Sequence, residues 1–328
     1  MSISDLHEDI IKTHILTRLD GQTLATTCCA SSRLQSLCSD PKLWSDICSS
    51  NWPSSVHPIV IQAISNFPSG YRSFYSDSYP SPTTGRLTTT TSLPPTSHIF
   101  SSIDLRYNGE LVFSKVESTN TTPSDWFKSS PFRIDLLEPK EVVPLAVQFS
   151  GDIQFLLPNL VKNMTLSWIM IDPSQNRAVN LSSIIPVSVQ RNLLNGDIEV
   201  IFSVVIALDV PLHDEGYVDC NIRLTCGIND VDGELNVSGV SLMVLDMDRK
   251  CLSGKESMVI LQGLTVGKRR SRRYIGGGEE QKERYDEFIQ RSRERKEKME
   301  RREKRIYMAS VASGVTIIML FWSFALSY

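Results

Sequence analysis

The stretch HEDIIKTH brings His7, Glu8 and His14 close together near the start of the chain. A zinc site of the H-E-x-x-H kind needs histidines four apart on one helix face, with the glutamate acting on bound water. His7 and His14 are seven apart, so they do not make that pair. The run Gly276-Gly277-Gly278 has the freedom of a phosphate loop, but it lies in a polar hinge with no strand before it. No G-x-S-x-G elbow and no Cys/His nucleophile pair is present, and the five histidines are dispersed. The expectation is a protein without catalysis of its own, binding no metal and no cofactor.

The seven cysteines are Cys28, Cys29, Cys38, Cys48, Cys220, Cys226 and Cys251, an odd number with no C-x-x-C spacing. Reduced, mostly buried thiols in a cytosolic or nuclear setting follow from that usage. The N-terminus lacks the basic and apolar regions of a signal peptide. The sequons at Asn120, Asn163, Asn180 and Asn236 are therefore expected to go unused.

Charge is distributed unevenly along the 328 residues. Residues 268–305 hold sixteen Lys/Arg against nine Asp/Glu, while everything before them holds eighteen against twenty-eight. An acidic body with a basic segment behind it speaks against nucleic-acid binding by the body. KRRSRR at 268–273 suits an anionic membrane leaflet better than a nuclear import signal, given the apolar stretch that follows.

The elements that would carry these residues fall into five segments. Residues 1–52 read as short helices, with Ile11, Ile15 and Leu19 on one face. In SDPKLWSDIC, Asp40 is a helix cap, Pro41 the first helical residue, and Leu43, Trp44, Ile47 and Cys48 lie on adjoining turns of one side. Residues 53–97 are a transitional segment ending in a Pro/Thr-rich linker at 80–96. Residues 98–267 alternate apolar and polar residues between turn signals, predicting an antiparallel β-sandwich-like domain and an α+β fold class. Its predicted strands include 103–116 as a hairpin around Asn108-Gly109, then LSWIMID (166–172), 198–210, 217–228, 237–248 and 257–264. Trp126, Phe127 and Trp168 are expected as buried sandwich aromatics.

Residues 268–305 are basic and helix-forming, with too few apolar residues for a coiled-coil seam, so a solvated charged helix is expected. Residues 306–328 carry no charge and would span about 35 Å as a helix, against a hydrocarbon core of about 30 Å. With RREKR before it, this stretch predicts a transmembrane tail anchor with the bulk of the chain in the cytosol. The alternative is a buried helix in a cytoplasmic or nuclear protein.

The run LHEDIIKTHILTRLDGQTLATTCCASSRLQSLCSDPKLW resembles an F-box. Leu6, Asp9, Ile10, Ile15, Leu16, Leu19, Leu24, Leu34, Asp40, Pro41, Leu43 and Trp44 match its pattern in order. His7 replaces the usual Pro, and Asp20-Gly21 replaces a common Pro-containing turn. WFKSSPFRIDL (126–136), LSWIMIDP and PVSVQRN (186–192) extend the resemblance to plant F-box proteins over nearly the whole chain. The resemblance implies a substrate receptor that binds a Skp-type adaptor, through it a cullin, and a target protein with its second domain. It gives Leu6, Ile10, Ile15, Leu16, Leu19, Leu24, Cys28, Leu34, Leu43 and Trp44 as core or adaptor-contacting residues, without dividing the two. The competing reading is a membrane-tethered β-domain scaffold, lectin-like in one version, with no part in ubiquitin transfer.

Overall fold

The computed structural model describes residues 7–79, 87, 96–149, 151–212, 215–229, 233–267 and 277–326. Leu6, the basic run 268–273 and most of the 80–96 linker lie outside them. The fold is α+β.

The N-terminal part is a series of short capped helices. After the single turn α1 (Glu8–Ile10) come a wide turn over Ile11–Ile15 and a tight one over Leu16–Arg18. Then follow α2 (Gly21–Thr27), α3 (Ser32–Cys38) and α4 (Pro41–Asn51). Each of these three begins at a side chain that accepts a backbone N–H: Asp20 from Thr23, Ser31 from Leu34, Asp40 from Lys42. The transitional segment is helical as well, with α5 (Pro58–Ser65) and α6 (Tyr71–Ser78).

Two antiparallel sheets follow. The first is ordered β2-β1-β5-β6, from β1 (His98–Tyr107), β2 (Glu110–Asn120), β5 (Met164–Asp172) and β6 (Arg177–Asn180). The second is ordered β3-β10-β9-β8-β7, from β3 (Arg133–Asp135), β7 (Ser188–Arg191), β8 (Ile198–Leu212), β9 (Glu215–Ile228) and β10 (Glu234–Leu245). β4 (Val143–Gln148) pairs along the remainder of the β10 edge. Asn108 and Gly109, at φ of 52° and 81°, make the β1–β2 turn, since both central positions of a type I′ turn need positive φ.

Alternation explains how the two sheets make one core. Ile103 and Leu105 of β1, Leu166, Trp168 and Met170 of β5, and Phe202, Ile222, Leu224 and Leu242 opposite them share one apolar cluster. The other face of β5 is apolar too: Ile169 and Ile171 join Ala178 in a second cluster with Trp44, Phe74 and Tyr75 of the helices. That double burial is why WIMI reads as an unbroken apolar run. Two polar clasps fix the same junction. Buried Asp104 accepts Ser54 N at 2.9 Å and Ser114 Oγ at 2.6 Å, and Asp77 of α6 accepts Arg177 Nε at 2.8 Å and Ala178 N at 3.1 Å.

Four expectations need correction. Residues 257–264 are not a strand but lie within helix α9 (Gly254–Val266), started by a capping box between Ser253 and Glu256. The sandwich region also holds the 11-residue helix α8 (Ile153–Asn163), which alternation did not reveal. On α7 (Asp125–Ser129), Phe127 turns to Phe132 at 6.4 Å, so its neighbour Trp126 points outward and is 75% exposed; Trp168 is buried as expected. The charged segment is not solvated throughout: α10 (Gly277–Leu326) buries Tyr285 and Phe288 against the second sheet. Inside the linker, Leu87 is pinned to β8, its N–H donating to Ala207 O at 2.7 Å.

Gly21 shows how tightly the helices close. A Cβ there would sit 2.2 Å from Cζ of Tyr75. Gly21→Ala is expected to destabilise the protein by about 1–3 kcal/mol through overpacking. The same change in a Tyr75→Leu background should cost less in a thermal-unfolding double-mutant cycle, because the obstructing ring is then absent.

Candidate functional site

Trp44 sits at the centre of the helical unit. It is 2% exposed, its indole Nε1 donates to Cys38 O at 2.7 Å, and its ring lies 5.4 Å from that of Tyr75. Tyr75 in turn lies tilted against Trp52 at 5.6 Å, and Trp52 meets Phe74 edge-on at 5.8 Å. An indole buried on every side, with its one donor satisfied, is a plug. Leu16, Leu24, Cys28 and Leu43 are buried in the same cluster.

The remaining candidates lie at its surface. Ile10 is 45% exposed, and Ile15, Leu19 and Leu34 are half-buried. Leu37 and Ile47, which were not among the candidates, join them as half-buried residues packed on the cluster. The expected face of Ile11, Ile15 and Leu19 is broken by the wide turn, where Leu16 N–H bonds to Ile11 O five residues back. That bond shifts the helical phase, so Ile11 and Leu16 become the buried pair and Ile15 turns outward. Nothing in the apolar spacing signals an extra residue in the turn.

A groove of about 270 Å³ runs beside this rim, lined by Leu16, Leu19, Leu43 and Ile47 with Asp46 and Asn51 at its edge. A second cleft, about 420 Å³, opens between the helices and the first sheet, where Tyr75, Asp104, Arg106 and Asn180 are among its lining residues. Burial pushes the Asp104 carboxyl above its ordinary value, partly offset by hydrogen bonds from Ser114 and Ser54.

Exposed charge frames the helical unit. Lys12 pairs with Asp40, and Arg33 Nε lies 3.4 Å from Glu8 Oε1. Two buried thiols are quiet: burial pushes Cys48 up to about 12 and raises Cys38, which lies in contact with Cys28. Among the described residues, no three His, Cys, Asp or Glu side chains converge to hold a metal ion. What the arrangement offers is a closed aromatic core with a broken apolar rim, which suits binding of another protein surface.

The Asp40 carboxyl is held below its ordinary value of 3.8, first by Lys12 and then by the Lys42 N–H. Folding therefore favours the ionised form. Its contribution is complete at neutral pH and is lost as pH falls through 3.8 and below. Asp40→Asn keeps the cap but removes the charge. Wild type should melt above this variant at neutral pH, and the gap should narrow as pH is lowered through 3.8 and below, as the carboxyl takes up its proton.

Comparison with known proteins gives consistent full-length matches. The chain is 43% identical over 338 residues to F-box protein At2g27310 of Arabidopsis thaliana, covering 99% of this chain and 96% of that protein. It is 42% identical over 328 residues to Probable F-box protein At2g36090, with 99% and 93% covered. To F-box protein At3g44326 it is 36% identical over 329 residues, with 97% and 88% covered; both are also from Arabidopsis thaliana. No family model matches the chain. No solved structure matches it.

Proposed function

Because this chain belongs to the F-box proteins, we propose that it is a non-catalytic substrate receptor of an SCF (cullin-RING) ubiquitin ligase. Residues 1–52 are the module that binds a Skp-type adaptor, and through it a cullin. Residues 98–267 recruit a protein target, with 53–97 joining the two. Residues 268–305 lead to a membrane span beginning at 306, and the body faces the cytosol. The observation that carries the reading is the full-length likeness to three proteins named as F-box proteins, each matching the helical unit and the sandwich together.

The mechanism is proximity. Holding a target beside the ubiquitin-carrying enzyme makes an intermolecular transfer effectively intramolecular, and this chain needs no reactive group of its own. The half-exposed rim of Ile10, Ile15, Leu19 and Leu34 supplies the apolar contact area, supported from beneath by Leu16, Leu24, Cys28, Leu43 and Trp44. Rim and plug are thus different residues of one module.

The membrane part rests on α10. Among the described residues it is the one helix long and apolar enough to cross a bilayer, and none of its apolar window is buried.

Co-expression with a Skp-type adaptor tests the reading. The wild-type chain should co-purify with it, while Ile10→Ala/Ile15→Ala should weaken binding about tenfold or more with little change in melting temperature. Trp44→Ala should instead lower stability by about 3–5 kcal/mol, a core effect. An adaptor that binds another F-box protein but not this one would favour the membrane-tethered scaffold. Full-length protein should stay with membranes through an alkaline wash and be released when 306–328 is deleted.

A further inference from the structure

The residues of α10 that turn toward the body form one stripe: Gln281, Tyr285 and Phe288 are buried, Ser292 and Arg295 half-buried. Its first turn lies so close to the connection between β6 and β7 that a Cβ at Gly278 would be 2.3 Å from Cδ1 of Ile185. Tyr285 then packs with Val187 and Ile201. Farther along, the Arg291 guanidinium sits 4.8 Å from the Tyr217 ring centroid, and Arg295 Nε donates to Asp248 at 2.9 Å.

These contacts give the helix a direction. They advance along β8 from Ile201 toward Ala207, which pairs with Tyr217 across the β8–β9 end. Asp248 lies just past β10 at that same end. The opposite end carries the β7–β8 tip, where Leu193 and Leu194 are 95% and 97% exposed.

The stripe stops at Arg295, but the helix does not. Residues 296–305 are exposed all round and still helical. From Glu279 to Ser313 there is no Gly or Pro. Glu297 and Arg301 pair one turn apart at 3.2 Å, and Lys, Arg and Glu are good helix formers. These ten residues rise about 15 Å. They carry six Lys/Arg against three Asp/Glu, a balance suited to anionic lipid headgroups.

We propose that α10 is a rigid strut, holding the sandwich at a set height over an anionic lipid surface with its β8–β9 end toward the lipid and Leu193 and Leu194 pointing away. This rests on the reading that the apolar part of α10 crosses a bilayer. A flexible tether of the same length would leave the body free to tumble; a continuous helix docked at its base does not.

Energy transfer in vesicles tests it. Full-length protein, with Cys29 and Cys251 changed to Ser, carries a donor dye at Lys250→Cys or Leu193→Cys. It is placed in phosphatidylcholine/phosphatidylserine vesicles bearing an acceptor-labelled lipid. The strut predicts stronger transfer from Lys250→Cys than from Leu193→Cys. Seven helix-forming residues inserted after Met299 keep the helix face within about 20° and should lift the donor by about 10 Å. Equal transfer from the two sites, or transfer unchanged by the insertion, overturns the strut. An alkaline wash of the same vesicles separates the two ideas: extraction defeats the membrane span and the strut together, whereas retention with unchanged transfer defeats the strut alone.

Discussion

Everything in this molecule is arranged around the burial of one sheet on both of its faces. The β1–β5–β6 surface packs inward on the second sheet and outward on the N-terminal helices. A helical unit of this size has a core that is marginal on its own, because small domains bury a smaller share of their surface. Here Ile169, Ile171 and Ala178 complete that core, and Asp104 and Asp77 supply fixed polar points at its edges. Charged groups are costly to bury unless they are hydrogen-bonded, so these two aspartates also set the orientation of the helices on the sheet. Module and sandwich share one apolar cluster, and such packing suits a protein whose proposed task is to hold a target at a fixed place.

Local rules made much of this legible. The cap at Asp40 with Pro41 behind it, the Asn108-Gly109 turn and the long strands β8 and β9 each depend on neighbours in sequence. The places where the sequence misled depend on phase or on tertiary partners. Residues 257–264 are apolar enough for a strand, and the Ser253/Glu256 capping box was the cue to a helix. Trp126 and Phe127 are adjacent and equally aromatic, and the position of Phe132 decides which one packs against the core. The sparse apolar residues Tyr285, Phe288 and Ile289 cannot build a coiled coil but are enough to dock one helix on a sheet.

The residues proposed to face an adaptor were the least legible part. Family pattern brings Trp44 and Ile10 together as equals, yet one is a closed plug and the other is open to solvent. The wide turn over Ile11–Ile15 shifts the phase further along, because its extra residue puts Leu16 rather than Ile15 beside Ile11 in the core. Buried and solvent-facing roles therefore fall to neighbouring residues of a single unit, with the plug setting the shape that the rim presents.

Hydrogen exchange of the full chain, with and without a purified Skp-type adaptor, addresses the central claim most directly. Added protection is expected across Ile10–Leu19 and Leu34–Leu37, with β8 and β9 unchanged. No protection on saturating adaptor, or protection confined to the sandwich, would contradict it.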